Sequence, residues 1–278
     1  MKVAITGTSG LVGSRLVELL KNDFEFFPLS QQQMDITNKK AVQTTLTNLD
    51  FDLLLHCAAY TNVDGAEHEK ELAYKINVEG TRNVLEAVLK KQKKFIYLST
   101  GFVFDGLTPP YYEDSKPHPL GYYAQTKYEG EKVVNSQGMI VRIDTPYRAS
   151  YAARTDFVRT MMKLLKEGKE LKMIADLRIT PTFIDDLASA LKYLTTHFSP
   201  EIFHIVGSDS MSPYTMVLQI ADVFSLNKNL VKQTTYKEFL KDKAKRPKFL
   251  DMKSKKNNFA KMRTLAQGLQ EVKLQLLM

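Results

Sequence analysis

Short apolar runs alternate with amphipathic stretches along the first half of the chain. The apolar runs are rich in strand-forming residues and read KVAITG, FEFFPLS, FDLLLHCAA, KKFIYLST and GMIVRID. Between them, stretches such as LVGSRLVELLKND and ELAYKINVEGTRNVLEAVLKK carry apolar residues at helical spacing. Strict alternation of strand and helix predicts right-handed crossovers and a doubly wound parallel sheet with helices on both faces. We therefore predict an α/β fold.

The first apolar run ends in three regularly spaced glycines. Gly7, Gly10 and Gly13 follow the strand as G-x-x-G-x-x-G, and a helical stretch begins at once. Such glycines allow a tight turn, close approach of a pyrophosphate to the backbone, and close helix–strand packing. The helix N-terminus favours the negative charge. Because the strand–turn–helix context is present, we predict a Rossmann-type dinucleotide site with Gly7, Gly10, Leu11, Val12 and Gly13; a structural loop is the alternative.

The alternation of predicted strands and helices becomes less regular after about residue 145. The run EIFHIVG at 201–207 has the pattern of another buried strand, which we expect to rejoin the sheet. We predict that residues 1–145 form the dinucleotide-binding domain and that residues 182–206 return to it. Residues 146–278 are predicted to form a smaller C-terminal lobe that binds the substrate.

Composition limits the classes of protein to consider. Of the 278 residues, 44% are hydrophobic and 25% are charged, as in an ordinary globular protein. The lone cysteine, Cys57, excludes a disulfide framework and fits a reducing compartment, so we expect a cytoplasmic protein. No apolar run approaches the ~18 residues of a membrane span. His56 and His204 lie in apolar strands without other ligands at suitable spacing, and we predict no metal site.

The net charge of +8 is concentrated near the C-terminus. Residues 228–263 contain 13 Lys or Arg and 3 Asp or Glu. Such a segment can be a solvated surface, can attract an anionic substrate or an anionic membrane, or can bind nucleic acid. It lacks the interleaved aromatic residues of an RNA-binding pattern. We therefore rank nucleic acid last and predict no nucleic-acid partner.

Tyr123 and Lys127 stand one helical turn apart in the stretch GYYAQTKYEG. Side chains at i and i+4 lie on one helix face, and a lysine ammonium close to a phenol lowers the pKa of the phenol towards neutrality. Such a tyrosine can serve as a general acid. An ordinary amphipathic pair on a solvated helix remains the alternative. Tyr122 should point about 100° away and pack.

The glycine spacing together with Y-x-x-x-K resembles the extended short-chain dehydrogenase/reductase family. Longer stretches resemble the dTDP-4-dehydrorhamnose reductase family within it. They read AAYTNVDGAEHEKELAYKINVEGTRNV, LSTGFVFDG, PPYYEDSKPHPLGYYAQTKYEGEKVV, ITPTFIDDLASAL, IFHIVGSDSMSPYTM and RPKFLDMKSKK. The resemblance covers nearly the whole chain in order.

The resemblance implies roles for individual residues. Thr100 would polarise the carbonyl of the substrate, Tyr123 would protonate its oxygen, and Lys127 would hold the ribose of the cofactor. Further cofactor contacts are implied for Asp35, Ile36, Ala58, Ala59 and Tyr60. Small packing residues at 58 and 59, and a turn or helix cap at 35, are the alternatives. Asn77 is either helix packing or a water-binding residue.

The resemblance also implies contacts with the substrate. Phe102 and Phe104 would lie along the sugar, and Arg178 would reach its pyrophosphate, since a guanidinium can grip two phosphate oxygens. The chain departs from the family at Gly101 and Phe102, where S-T-D-Y-V-F-D-G is usual, and in the stretch RIDTPYR at 142–148. The catalytic residues are retained, but part of the expected sugar-binding wall is not.

We therefore predict an NAD(P)H-dependent reductase of a nucleotide-linked 4-keto-6-deoxy sugar in polysaccharide precursor biosynthesis. NADPH is the expected cofactor because the second predicted strand ends in PLSQQQ, which has no acidic residue for a ribose 2′-hydroxyl. NADH is the alternative cofactor, and assembly as a homodimer is a further option. The alternative function is a non-catalytic NADP(H)-binding regulatory subunit, like that of methionine adenosyltransferase.

Overall fold

The computed structural model describes residues 1–151 and 153–277. Within them the strands are β1 (Lys2–Thr6), β2 (Glu25–Leu29), β3 (Leu53–His56), β4 (Lys94–Thr100), β5 (Met139–Ile143), β6 (Pro146–Tyr147), β7 (Leu171–Ile174), β8 (Thr182–Phe183), β9 (Ile202–His204) and β10 (Val231–Thr234). The helices are α1 (Leu11–Leu20), α2 (Lys39–Asn48), α3 (Lys70–Tyr74), α4 (Thr81–Lys90), α5 (Tyr122–Val134), α6 (Phe157–Lys166), α7 (Ile184–Thr196), α8 (Pro213–Val223), α9 (Tyr236–Phe239) and α10 (Leu265–Leu277).

The main sheet has six parallel strands in the order β2-β1-β3-β4-β5-β9. The chain leaves β1 first towards β2 and then towards β3 on the other side, so the switch point lies between β1 and β3. In open α/β sheets, ligands bind in the crevice outside the carboxyl ends of the strands at such a point. The predicted doubly wound α/β fold is confirmed, including the return of the 201–207 run to the sheet as β9.

Successive side chains along a strand of the main sheet point to opposite faces and pack into two separate hydrophobic cores. On β1, Val3 and Ile5 face the core that also contains Leu16 of α1 and Leu191 of α7. Ala4 points the other way, into the core formed with α2 and α4. This alternation follows from the strand period of two residues. Both faces of the sheet are therefore covered, which explains why the strands read as continuous apolar runs.

The second half of the chain adds two short strand pairs and its own apolar clusters. Strands β6 and β8 pair with each other, as do β7 and β10. Helices α6, α8 and α10 contribute to a cluster around Met216 and Leu269. The segment does not stand apart, because Phe259, Ala260 and Met262 pack against the α1–α7 core of the main sheet. The division at residues 145 and 146 stays a prediction.

Across the described ranges, no helix is both long enough and apolar enough to cross a lipid bilayer.

Candidate active site

The glycine loop after β1 forms a cradle made of backbone. Gly7 has φ +71°, and a Cβ placed there would meet the backbone of Cys57 and Ala58 at 2.6 Å. A Cβ on Gly13 would lie 2.4 Å from the Gly7 carbonyl oxygen. Gly10 is the N-cap of α1 and supplies no side-chain cap, so the first N–H groups of the helix are free for an anion. These features fit the pyrophosphate of a nicotinamide dinucleotide.

A single cleft of about 780 Å³ runs along the carboxyl ends of the central strands, from the glycine loop to α5. Both the adenine side and the reaction side of the predicted site open into it. The predicted residues that line it are Gly7, Gly10, Leu11, Val12, Gly13, Asp35, Ile36, Ala58, Ala59, Thr100, Phe102, Tyr123 and Lys127. The fold therefore brings together groups that are as much as 120 positions apart in the chain.

Thr100 and Tyr123 meet at the same part of the cleft. Thr100 ends β4, and its hydroxyl accepts a hydrogen bond from the Phe102 N–H at 3.2 Å. Tyr123 lies in the first turn of α5, with its ring edge-on to Phe102 at 6.0 Å between centroids. Phe102 thus forms an apolar wall beside the phenol. A carbonyl group in the cleft can be approached by two hydroxyl donors.

The pKa of Tyr123 moves opposite to the sequence prediction. Burial raises the pKa of the phenol to about 12, and the Thr100 hydroxyl offsets part of that increase. The prediction of a pKa lowered by Lys127 is wrong for this state, because removal of the phenol from water dominates and the charge of Asp144 adds to the increase. A raised pKa keeps the phenol protonated at neutral pH, and the protonated form is the one that can donate a proton.

Lys127 is buried at the base of the cleft. Its ammonium donates to the Leu98 carbonyl oxygen at 2.9 Å and lies 4.1 Å from the centroid of the Tyr97 ring. Burial lowers the pKa of Lys127 to about 7, while the carboxylate of Glu131 opposes that shift. The lysine can therefore change its charge near neutral pH.

Glu131 belongs to a buried polar network behind the lysine. Its carboxylate accepts hydrogen bonds from Ser99 Oγ at 2.6 Å and from Arg142 Nε and Nη2 at 2.8 and 2.6 Å. The arginine side chain is 1% exposed and the glutamate side chain 3%. Because the pair is bidentate and buried, it holds α5 against β4 and β5 at the position of Lys127. Sequence reasoning missed this network, since its members are far apart in the chain.

Asn77 is a second support of α5. It lies in a π-helical turn, Lys75–Gly80, that joins α3 to α4. Its side chain bonds the backbone N–H and C=O of Tyr60 at 2.9 and 3.1 Å and donates to Thr126 Oγ1 at 2.9 Å. Asn77 therefore ties the segment after β3 to the helix that carries the tyrosine, which agrees with the packing alternative.

Three residues predicted for the site do not line the cleft. The Tyr60 hydroxyl bonds Glu69 instead, and only its backbone is held near the site, by Asn77. Phe104 is 0% exposed and stacks on Tyr111 at 4.4 Å, so it is a core residue. Arg178 is exposed and its guanidinium donates to the Ser210 carbonyl oxygen at 3.2 Å. The structure therefore places these three side chains outside the cleft, and their predicted contacts with cofactor or substrate stay predictions.

Gly101 shows how the departure from the family pattern is accommodated. A Cβ at this position would lie 2.2 Å from Met252 Sδ and 3.1 Å from a Leu250 methyl group. Both residues come from the C-terminal segment, and Met252 is 1% exposed. The space that a side chain on residue 101 would need is therefore filled by apolar atoms.

The basic segment lies outside the cleft. Several of its cations pair with acidic side chains elsewhere in the chain: Lys255 with Asp114 at 2.8 Å, and Lys256 with Glu201 at 2.7 Å. The lysine side chains of these pairs remain 55% and 36% exposed. Exposed pairs of this kind contribute little to stability. From outside the cleft, these lysines can act on an anionic ligand only through long-range electrostatic attraction.

The cleft also contains polar residues that sequence reasoning did not select. Asp144 follows β5 and Arg154 follows β6, and both line the cleft. A polar residue at the carboxyl end of a buried strand was a usable signal for Asp144. Arg154 lies in an irregular segment, and no sequence signal marks it. No cluster of three or more His, Cys, Asp or Glu able to hold a metal ion occurs in 1–151 or 153–277.

A backbone cradle for a dinucleotide, with Thr100, Tyr123 and Lys127 along the same cleft, defines a nicotinamide-dependent oxidoreductase of the short-chain dehydrogenase/reductase type. The family model described as the RmlD substrate binding domain matches residues 1–276. The chain belongs to this family, as the sequence predicted.

Individual relatives agree with that assignment. The chain is similar to dTDP-4-dehydrorhamnose reductase of Aggregatibacter actinomycetemcomitans, with 31% identity over 80% of this chain and 78% of the relative. It is similar in structure to dTDP-4-dehydrorhamnose reductase of Bacillus anthracis in complex with NADP, with TM-score 0.91, 33% identity and 99% of each chain covered. It is also similar to methionine adenosyltransferase 2 subunit beta of Bos taurus, with 30% identity over 81% of this chain and 72% of the relative. The predicted class, an NAD(P)-dependent nucleotide-sugar oxidoreductase, is confirmed.

Proposed function

We propose that this protein reduces the keto group of a dTDP-linked 4-keto-6-deoxy sugar, such as dTDP-4-dehydrorhamnose, with NADPH. The observation that carries the proposal is the meeting of Thr100 and Tyr123 in the cleft that begins at the glycine cradle. The reductases of Aggregatibacter actinomycetemcomitans and Bacillus anthracis support the choice of sugar nucleotide.

The glycine loop would hold the pyrophosphate of a reduced nicotinamide dinucleotide, which would supply a hydride to the carbonyl carbon. The Thr100 hydroxyl donates a hydrogen bond to the carbonyl oxygen and polarises the C=O bond. Tyr123 transfers its phenolic proton to that oxygen, so the alkoxide becomes a hydroxyl and the tyrosine becomes a phenolate. A protonated Lys127 then stabilises the negative charge of the Tyr123 phenolate. Phe102 excludes water from the phenol.

The preference for NADPH rests on the end of β2. This strand ends at Leu29, and the next residues, Ser30 and Gln31, line the cleft without a carboxylate. Nothing there repels a 2′-phosphate, whereas an acidic residue would select the 2′-hydroxyl of NADH. Asp35, also in the cleft, has one carboxylate oxygen occupied by the Thr37 N–H and hydroxyl, both at 2.9 Å. NADPH is therefore the proposed cofactor, with NADH as a weaker alternative.

A second candidate is a regulatory role that requires NADP(H) but no turnover. The similarity to methionine adenosyltransferase 2 subunit beta is the observation that favours it. In that case the chain would bind the catalytic subunit of a methionine adenosyltransferase and alter its activity. The retained hydroxyl and lysine groups of the cleft support catalysis over this role.

One experiment separates the two candidates. The purified protein is mixed with NADPH and dTDP-4-dehydrorhamnose, and the loss of the absorbance of reduced nicotinamide is followed with product analysis. Sustained oxidation of NADPH, matched by formation of a dTDP-6-deoxyhexose, is expected. No turnover, together with saturable binding to a methionine adenosyltransferase catalytic subunit in a parallel titration, would favour the regulatory role. The predicted cytoplasmic location, the homodimer and the absence of a nucleic-acid partner stay predictions.

A further inference from the structure

A buried aspartate lines the cleft close to the proposed proton donor, Tyr123. Asp144 directly follows β5 and lines the cleft with Thr100, Phe102 and Tyr123. The residue is 3% exposed. The proposed proton transfer does not use this carboxylate, so its presence calls for another explanation.

The carboxylate is held in a defined orientation. Its Oδ2 accepts the Thr180 N–H at 2.7 Å, and its Oδ1 accepts the Thr145 hydroxyl at 3.1 Å. Thr145 itself is fixed, because its carbonyl oxygen accepts the Thr182 N–H at 3.1 Å. A carboxylate offers about four acceptor positions, so these bonds leave capacity for a ligand.

The charge of Asp144 is not needed to hold the backbone. A neutral Asn or Ser could accept the Thr180 N–H equally well, whereas burying an unpaired carboxylate is unfavourable. Burial raises the pKa of Asp144 to about 6, and its negative charge contributes to the high pKa of Tyr123. The carboxyl group is therefore ionised at neutral pH and sits close enough to influence the phenol.

No cation neutralises this carboxylate in the described part of the chain. The titratable side chains that line the same cleft are Asp35, Cys57, Lys75, Tyr123, Lys127 and Arg154. The hydrogen bonds of Asp144 go only to Thr145 and Thr180. Its free acceptor positions are therefore available to water or to the hydroxyl of a ligand in the cleft.

We propose that Asp144 determines specificity by accepting a hydrogen bond from a ring hydroxyl of the sugar nucleotide. The inference rests on the proposed function, since it assumes a sugar in the cleft. A site built to bond a hydroxyl strongly rejects an analogue that lacks it, because the buried acceptor is then left without a partner. Asp144 is thus a contact of the ground-state complex, distinct from the proton donor Tyr123.

The test compares wild-type protein with Asp144→Asn on three substrates: dTDP-4-dehydrorhamnose and its 2-deoxy and 3-deoxy analogues. Asparagine keeps an oxygen for the Thr180 N–H, so the variant should fold, and its Tm is measured to check this. We expect KM for the hydroxylated substrate to rise about tenfold to a hundredfold, the range for a hydrogen bond to a charged group. The value of kcat should change much less.

Two further readouts separate a contact from a structural role. For the analogue that lacks the contacted hydroxyl, wild type and variant should have similar KM values, because the interaction is already absent. In the wild type, KM for the hydroxylated substrate should rise as the pH falls below about 6, when the carboxylate becomes protonated. In Asp144→Asn this dependence should be lost.

The outcomes also separate this inference from the proposed function. No turnover of any of the three substrates by the wild type overturns both. Normal wild-type turnover, with an unchanged KM in Asp144→Asn or with the same increase on all three substrates, overturns the Asp144 contact alone.

Discussion

The cofactor side of the cleft is made of backbone, whereas the sugar side is made of side chains from distant segments. On the first side, Gly7, Gly10 and Gly13 lie within seven consecutive residues, and their lack of a Cβ creates the space. On the second side, Thr100, Tyr123 and Asp144 come from three different elements and lie in one cleft only because those elements pack together. A backbone site tolerates almost no added atoms, while a side-chain site can change its partner by single substitutions. Substitutions should therefore disrupt the two sides in different ways.

The largest effect should come from the sugar side. Tyr123→Phe removes the only hydroxyl proposed to give up a proton, and we expect turnover to fall about 10²-fold or more with the Kd for NADPH nearly unchanged. Steady-state kinetics and a cofactor titration measure the two quantities. Tyr122→Phe is the matched control, because the Tyr122 ring lies near Lys70 and does not line the cleft. Wild-type turnover in Tyr123→Phe would refute the assignment.

On the cofactor side, Gly13→Ala should weaken NADPH binding by about tenfold or more. The added Cβ would lie 2.4 Å from the Gly7 carbonyl oxygen, so the loop must open, and overpacking of this kind costs about 1–3 kcal/mol. A direct titration gives the Kd. Gly10→Ala is the comparison for the loop itself, since its Cβ would lie 3.0 Å from the same oxygen and should lower Tm less than Gly13→Ala. Equal affinity in Gly13→Ala and wild type would show that the loop is not the cradle.

Cofactor choice can be moved by one charge at the end of β2. Ser30→Asp places a carboxylate in the cleft beside the expected ribose, where it repels a 2′-phosphate and can accept a 2′-hydroxyl. The Kd for NADPH should rise about tenfold, about 1.4 kcal/mol, while the Kd for NADH should rise less or fall. Ser30→Asn, of the same shape but uncharged, is the control. If both cofactors lose affinity equally, residue 30 does not contact the ribose.

The smallest effect should come from Arg178, which the sequence had placed on the pyrophosphate of the substrate. Its guanidinium is exposed and bonds Ser210 outside the cleft. Arg178→Ala should therefore change KM by less than about threefold, about 0.6 kcal/mol, because the guanidinium does not line the cleft. Neutralising Lys255 and Lys256, which form exposed ion pairs, should do no more. A tenfold rise in KM for Arg178→Ala would restore the original prediction and extend the sugar side to this arginine.

Local pattern was sufficient for the fold and for the cofactor side. Apolar runs of the right length and the glycine spacing are short-range features, and each depends on a few neighbouring residues. The same holds for Tyr123 and Lys127, whose shared helix face follows from the helical repeat. The positions of β1 to β5, β9 and the glycine loop therefore agree with the sequence prediction.

Long-range packing decided the rest. Phe104 was expected against the sugar, but its ring stacks on Tyr111 in the core. Whether a side chain in the segment after β4 faces the core or the cleft depends on the tertiary structure. The pKa of Tyr123 rises because the assembled cleft removes the phenol from water, which no local spacing reveals. Met252 fills the space beside Gly101, and Asp144 meets Thr180 across 36 positions of chain. The sequence by itself determined the elements and the backbone cradle, whose causes are local, whereas only the tertiary structure decided which side chains share the cleft and which charges they carry there.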